Sequence, residues 1–295
     1  MTVMVYWLMA NPKAGEEGSR GADFWREHLE TAGISSIRDC NLEDTAWTSE
    51  VEPDDVVLAA GGDGSVNAAA GFCVDSGATL AVLPSGTAND FARNLGLPDD
   101  PQQICDLVAT GKTRMVDVAV ATQGRFLNVA HIGLGTLPVR ESSGQAKRFL
   151  GRFSYGAALL QKLAAYRGFH GVIETDKGRM TGRWLTIAIS SGAFFGGGTE
   201  IPEASAGDGQ LDVIAVRPRS LFQLLWAFLL VRLSHSSPKR SSTVVQLKSP
   251  VVRVTTRSSK TITMDGEIAG KTPLTVKCRP ACLRVICDNL VTTGQ

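Results

Sequence analysis

The sequence predicts an α/β fold in two parts: a nucleotide-binding type of α/β domain over residues 1–112 and a β-rich domain over residues 113–287. Three observations carry this. Over residues 3–100 short apolar runs alternate with helix-like stretches, the pattern of βαβ units. From about residue 112 the text becomes strand-like, broken by hairpin signals such as Gln123-Gly124 and Asp176-Lys177-Gly178. At 295 residues, 43% hydrophobic and 20% charged, the chain can bury two ordinary cores. The last residues, 288–295, are expected to pack back on the first domain.

Taken in order, residues 3–9 read as the first strand, and residues 19–31 as an amphipathic helix. That helix turns Phe24, Trp25, Leu29 and Ala32 toward a sheet, with Gly33 as its C-cap. Residues 56–60 and 79–83 are apolar strands, each running straight into a glycine-bearing turn and a helix. In the second part, strands are predicted at 115–121, 125–130, 172–175, 183–190, 211–216, 244–247, 251–255, 261–264, 274–277 and 283–287. A long helix over 149–167 and a short one over 221–231 interrupt them.

The start, MTVMVYWLMANP, lacks a basic n-region and a small-residue cleavage site, so it reads as a buried strand. The longest apolar run, LFQLLWAFLLV from residue 221, is far short of the roughly 20 residues a spanning helix needs. These features predict a cytoplasmic protein. The six cysteines form no C-x-x-C pair and read as buried free thiols. The four histidines are scattered, and His131, in an apolar strand, reads as a satisfied core residue.

Three loops at predicted strand ends carry the chemistry. Gly61-Gly62-Asp63-Gly64-Ser65 follows the VVLAA strand and opens the helix that bears Asn67. Glycines there let backbone N–H groups approach an anion, and the helix N-terminus adds a favourable dipole. Pro84-Ser85-Gly86-Thr87-Ala88-Asn89-Asp90-Phe91-Ala92-Arg93 follows the next strand. Thr87 and Asn89 offer polar groups at a helix start, and Arg93 offers a planar fork for phosphate oxygens. Simple N-capping by Thr87 or Asn89 is the plainer reading of that loop. Asn11-Pro12-Lys13-Ala14-Gly15 follows the first strand. Together the three loops predict a nucleotide, ATP.

In this order and spacing, NPKAG, GGDGS-x-N and PSGTANDFARNLG resemble the diacylglycerol kinase catalytic family, with its bacterial lipid kinases and sphingosine kinases. FLNVAHIGLG, FFGGGTEIPEASAGDGQLDV and MDGEIAGKTPLTVKCRPACLRVI extend the resemblance through the second domain. It implies a Rossmann-like, phosphofructokinase-like three-layer α/β domain plus a C-terminal antiparallel β-sandwich. It also implies an ATP site from Asn11, Lys13, Gly61, Gly62, Asp63, Gly64, Ser65, Asn67, Thr87, Asn89 and Arg93. Glu267 matches the general base, and Asp63 stands on the phosphate or Mg²⁺–ATP side. Asp208 matches a metal ligand, with Ser205 and Gln210 completing a Mg²⁺ site through backbone carbonyls, an oxygen-only set that suits a hard cation. The chain departs from the family pattern at Ala14, Gly135 and Gly207, where Ser, Asp and Asp are usual.

The acceptor is expected to be a membrane lipid. Between Asp212 and Asp265 there is no acidic residue, yet nine Lys and Arg residues fall there around the LFQLLWAFLLV run. Basic residues flanking a short apolar segment suit peripheral contact with an anionic membrane. Nucleic acid is not expected, since no aromatic residues interleave the basic ones. A homodimer is compatible with the sequence. The competing readings are a soluble kinase of the NAD kinase or phosphofructokinase type, and a non-catalytic lipid-sensing protein with a kinase fold. The second would be marked by loss of Asp63 or Glu267.

Overall fold

The computed structural model describes residues 4–10, 20–40, 43, 46–136, 167–220, 222–224 and 243–293. The first half is a parallel sheet built from β1 (Tyr6–Ala10), α1 (Ala22–Thr31), β2 (Ile37–Cys40), β3 (Val56–Gly61), α2 (Asp63–Ser76), β4 (Thr79–Pro84), α3 (Asp90–Asn94) and α4 (Pro101–Thr110). Its strands lie in the order β2-β1-β3-β4. Both faces of β3 and β4 are buried along their whole length, which explains why these strands read as continuous apolar runs. On one face Trp25 and Leu29 of α1 and Ile104, Cys105 and Val108 of α4 cover Leu8, Leu58 and Leu83. On the other, Val66, Ala69, Ala70 and Cys73 of α2 cover Met9, Val57, Leu80 and Val82. This is a three-layer α/β domain.

The second half contributes β5 (Thr113–Ala121), β6 (Gly124–Phe126), β7 (Val129–Gly133), β8 (Phe169–Thr175), β9 (Gly178–Trp184), β10 (Thr186–Ser190), β11 (Phe194–Phe195), β12 (Thr199–Glu200), β13 (Leu211–Val216), β14 (Val244–Ser249), β15 (Val251–Thr256), β16 (Thr261–Met264), β17 (Glu267–Lys271) and β18 (Leu274–Ile286). A six-stranded antiparallel sheet, β14-β13-β10-β7-β16-β17, faces the strands β18-β15-β8-β9. Between them lies an apolar core of Ile132, Ile187, Ile189, Val213, Val252, Val254, Ile262 and Val276. The domain is an antiparallel β-sandwich.

The single strand β18 joins the two halves. It pairs antiparallel with β15 and β5, and at Val285 it pairs parallel with Leu80 of β4. The sequence places two separate strands here, at 274–277 and 283–287. The chain instead runs through as one, with a register shift between Arg279 and Leu283 that absorbs Pro280. The predicted strand 125–130 is in fact two, broken at Leu127-Asn128, and strand 183–190 is broken at Leu185. The C-cap of α1 is Ala32, one residue before Gly33. The helix predicted over 149–167 lies almost wholly outside the described residues; of the 221–231 helix only 222–224 are described, and they are helical. After β18 the chain reaches back: Val291 N donates to Asn94 O, and Thr293 N to Ala204 O.

Candidate active site

The two glycine loops sit side by side at the carboxyl ends of β3 and β4, where open α/β sheets bind ligands. Ser85 N donates to Gly61 O at 3.0 Å. A Cβ on Gly86 would lie 2.7 Å from Gly62 Cα, and one on Gly61 2.6 Å from the Ser65 side chain. Backbone contact this close admits only glycine. The N-cap of the 14-residue helix α2 is Gly62, which caps nothing with a side chain. The first-turn N–H groups are therefore left for an anion at the positive end of the helix.

The polar residues of these loops divide in role. Ser65 is buried beneath Gly61, Asn67 is half-buried and Thr87 is exposed. Asn89 is in the left-handed region at φ 49, and its side chain closes the 86–89 turn by exchanging two hydrogen bonds with Gly86. It gives α3 no side-chain cap. Asn11 and Lys13 lie outside the described residues.

The second domain brings its acids to the same place. Asp265-Gly266 joins β16 to β17 as a two-residue turn with φ of 43 and 88, the double positive φ of a type I′ hairpin. The Asp265 carboxylate accepts hydrogen bonds from the backbone N–H of Leu127, Asn128 and Val129 at 2.8–3.0 Å. Burial pushes this carboxyl up to about 6, against the three donors that favour its charged form. The clamp fixes both neighbours of the turn. Asn128 Nδ2 reaches Asp63 Oδ1 at 3.2 Å, and that same oxygen accepts Phe91 N at 3.1 Å. Glu267, exposed at the start of β17, has Oε1 3.9 Å from where a Cβ on Gly64 would stand. Asp63 and Glu267, about 200 residues apart in sequence, thus face one cleft. Asn128 and Asp265, which hold them there, are not singled out by sequence reasoning. An Asp-Gly hairpin signal says that a turn exists, and not what its carboxylate holds.

A second contact between domains flanks the cleft. Asp90 accepts the backbone N–H of Gly197 and Gly198 at 2.7–3.1 Å, docking the glycine triplet onto α3. Arg93 pairs with Asp90 at 3.6 Å and lies against Gly198, so it faces the triplet. Asn94, fully buried, bonds Asn128 Oδ1 and Phe194 N.

Asp208 lies in the turn before β13. Its Oδ1 accepts Gln210 N at 3.0 Å and its Oδ2 accepts Lys248 Nζ at 2.5 Å. Lys248 is also 3.7 Å from Asp212, whose carboxyl burial pushes up to about 7 against the pull of that ammonium. Ser205 is buried and bridges Thr292. Among the described residues no three His, Cys, Asp or Glu side chains form a metal-binding group. The donor set is one carboxylate plus backbone oxygens, chemistry that fits a hard cation, with Lys248 as a competing positive charge.

His131 departs from expectation. Its Nδ1 is enclosed and has no hydrogen-bond partner among the described residues, and burial pushes the ring down to about 4, so it is neutral. The cysteines are all free, as predicted, but only Cys73, Cys105 and Cys287 are buried.

Comparison with known proteins gives two family matches: the diacylglycerol kinase catalytic domain over residues 5–121, and the YegS C-terminal NAD kinase beta sandwich-like domain over residues 131–287. A probable lipid kinase, YegS-like, from Klebsiella pneumoniae (strain 342) is 32% identical over 241 residues, covering 77% of this chain and 79% of the relative. A diacylglycerol kinase from Bacillus subtilis (strain 168) is 28% identical over 224 residues, 74% of this chain and 73% of the relative. The crystal structure of a diacylglycerol kinase from Bacillus anthracis str. Sterne superposes with a TM-score of 0.72 at 20% identity, covering 99% of this chain and all of that one. This last likeness concerns the fold.

Proposed function

We propose that this chain, which belongs to the diacylglycerol kinase family, transfers the γ-phosphate of ATP to a hydroxyl of a membrane lipid. The observation that carries the reading is the convergence of Glu267, from the sandwich domain, on the uncapped N-terminus of α2. Phosphoryl transfer needs positioning and charge neutralisation more than covalent help from the protein. The glycine loops at 61–65 and 85–87, with Asn11 and Lys13 of the first loop, take the phosphates. Asp63, its Oδ1 held by Phe91 and Asn128, has Oδ2 left for the phosphate or its accompanying Mg²⁺. Glu267 takes the proton from the lipid hydroxyl. A positioned carboxylate contributes roughly 10²–10⁴-fold to such a transfer.

A structural Mg²⁺ belongs to the same reading. Asp208 would hold it with the carbonyls of Ser205 and Gln210, and it would pin the 205–210 turn by neutralising charge. Contact with the cytoplasmic face of an anionic membrane is supported by a cleft of about 630 Å³ at the open edges of the sandwich. Ile173, Met180 and Leu247 line it, with Lys177, Arg179 and Arg217 among its basic residues. Among the described residues no helix is long and apolar enough to cross a membrane.

Incubating the protein with labelled ATP and a total lipid extract, then identifying the labelled species by mass spectrometry, tests the reading. A phosphorylated lipid is expected. The Glu267→Gln protein should form it at least about 100-fold more slowly with an unchanged KM for ATP. Label appearing only in a soluble nucleotide, or no label with any lipid, would overturn the assignment.

A further inference from the structure

The six-stranded sheet whose strand β17 carries Glu267 presents a row of side chains on the face away from the sandwich core. Register places His131 of β7 between Thr263 of β16 and Ala188 of β10; Thr263 pairs onward with Ile268 of β17, and Ala188 with Ile214 of β13. Directly paired residues point to one face of a sheet. The alternate residues Ala130, Ile132, Ile187, Ile189 and Ile262 fill the sandwich core, so this row faces away from it. Thr263 and Ala188 are buried, Phe195 lies 5.5 Å from the His131 ring, and Ile268 at the far end is 60% exposed. Ile268 directly follows Glu267. The row therefore begins beside the proposed base and runs inward, with His131 at its centre.

Within it one polar atom stands out. His131 Nδ1 is shut off from solvent, with no partner among the described residues. A buried polar atom left unpaired is costly, and native structures retain few without a reason. Desolvation holds the ring neutral above about pH 4, so one ring nitrogen is a donor and the other an acceptor. A hydrophobic site with one placed polar group is how proteins orient an apolar ligand.

On the lipid kinase reading above, we infer that His131 is the specificity residue for the acceptor: its Nδ1 hydrogen-bonds a second polar group of the lipid, the hydroxyl, ester or amide next to the one phosphorylated. The exposed Ile268 takes the adjoining hydrocarbon. Binding fills the orphan nitrogen, and the bond fixes which hydroxyl reaches Glu267. A site built to hydrogen-bond a substrate group discriminates strongly against analogues that lack it.

Steady-state kinetics test this with wild type, His131→Phe and His131→Gln on dioleoylglycerol, sphingosine, ceramide and phosphatidylglycerol in mixed detergent micelles. With the acceptor that wild type uses, His131→Phe should raise the acceptor KM about tenfold, the value of one lost hydrogen bond, with the KM for ATP within twofold. His131→Gln, which keeps a polar group there, should stay within about threefold. The melting temperature of His131→Phe should equal or exceed that of wild type, because the unpaired nitrogen is gone. A purely structural histidine would instead lose stability without a selective change in acceptor KM. An unchanged acceptor KM in His131→Phe, or equal KM losses in both variants with lowered melting temperatures, overturns the inference and leaves the kinase reading standing. No product from any of the four lipids with wild type defeats both.

Discussion

On the proposed reading Asp63 has a separate role for each of its oxygens. Oδ1 accepts the Phe91 N–H and the Asn128 amide, so it ties α3 and the sandwich domain to the nucleotide loop. The structure makes Asp63 the first residue of α2, half-buried. The two roles separate by substitution. Asp63→Asn keeps an acceptor for both donors, and its melting temperature should stay within about 2 °C of wild type. Asp63→Ala leaves Asn128 and Phe91 N unpaired, at a cost of about 2 kcal/mol, which for a chain this long is roughly 4 °C. Both should lose at least about 100-fold in kcat, because neither carries the charge. Differential scanning calorimetry beside kinetics checks this: equal melting temperatures for the two variants would mean that Oδ1 does not tie the domains.

At the scale of the element, the turn at 205–210 is set by what sits on Asp208. Lys248 Nζ lies 2.5 Å from one carboxylate oxygen, and a divalent cation on the same carboxylate competes with it. Excess chelator should therefore lower the melting temperature of wild type only slightly, because the ammonium still holds the turn. If Asp208 holds Mg²⁺, the metal would be its positive partner in Lys248→Met, and saturating Mg²⁺ should add about 2.7 kcal/mol at a hundredfold excess over Kd. Thermal melts of both proteins with chelator and with Mg²⁺ decide it; no Mg²⁺ response in either removes the metal from this loop. The same element shows what sequence can and cannot carry. The strands 211–216 and 261–264 are legible to the residue, because short runs rich in apolar and β-branched side chains favour strands. The glycine loops are legible because close backbone contact admits one residue type. The Lys248–Asp208 and Asp265–Asn128 contacts are not, since each joins residues 40 or more apart by a register that no local pattern encodes. The orphan nitrogen of His131 is illegible for the same reason: whether a histidine is satisfied depends on its cross-strand neighbours.

For the whole molecule the proposed function raises the question of how a lipid hydroxyl in a bilayer would meet a site at the carboxyl ends of a parallel sheet. Strand β18 runs from the sandwich into that sheet, and the Asn128–Asp63 and Asn94–Asn128 bonds cross between them. The glycine-loop site is thus tied to the sandwich, and on the proposed reading orientation on a membrane would come from the sandwich surface. Its basic cleft carries Lys177 and Arg179 on the turn and first residues of β9, at the edge of the sheet. Each Lys or Arg close to an anionic surface contributes about 1 kcal/mol, screened by salt. Removing both in Lys177→Ala/Arg179→Ala should weaken partition onto vesicles of phosphatidylglycerol and phosphatidylcholine by about 2 kcal/mol, roughly 30-fold. The loss should shrink as salt rises, and activity on a short-chain acceptor below its micellar concentration should not change, because neither residue lies at the Glu267 cleft. Vesicle co-sedimentation across a salt series measures it. Equal partition of wild type and the double variant at low salt would move the membrane-facing surface away from this cleft.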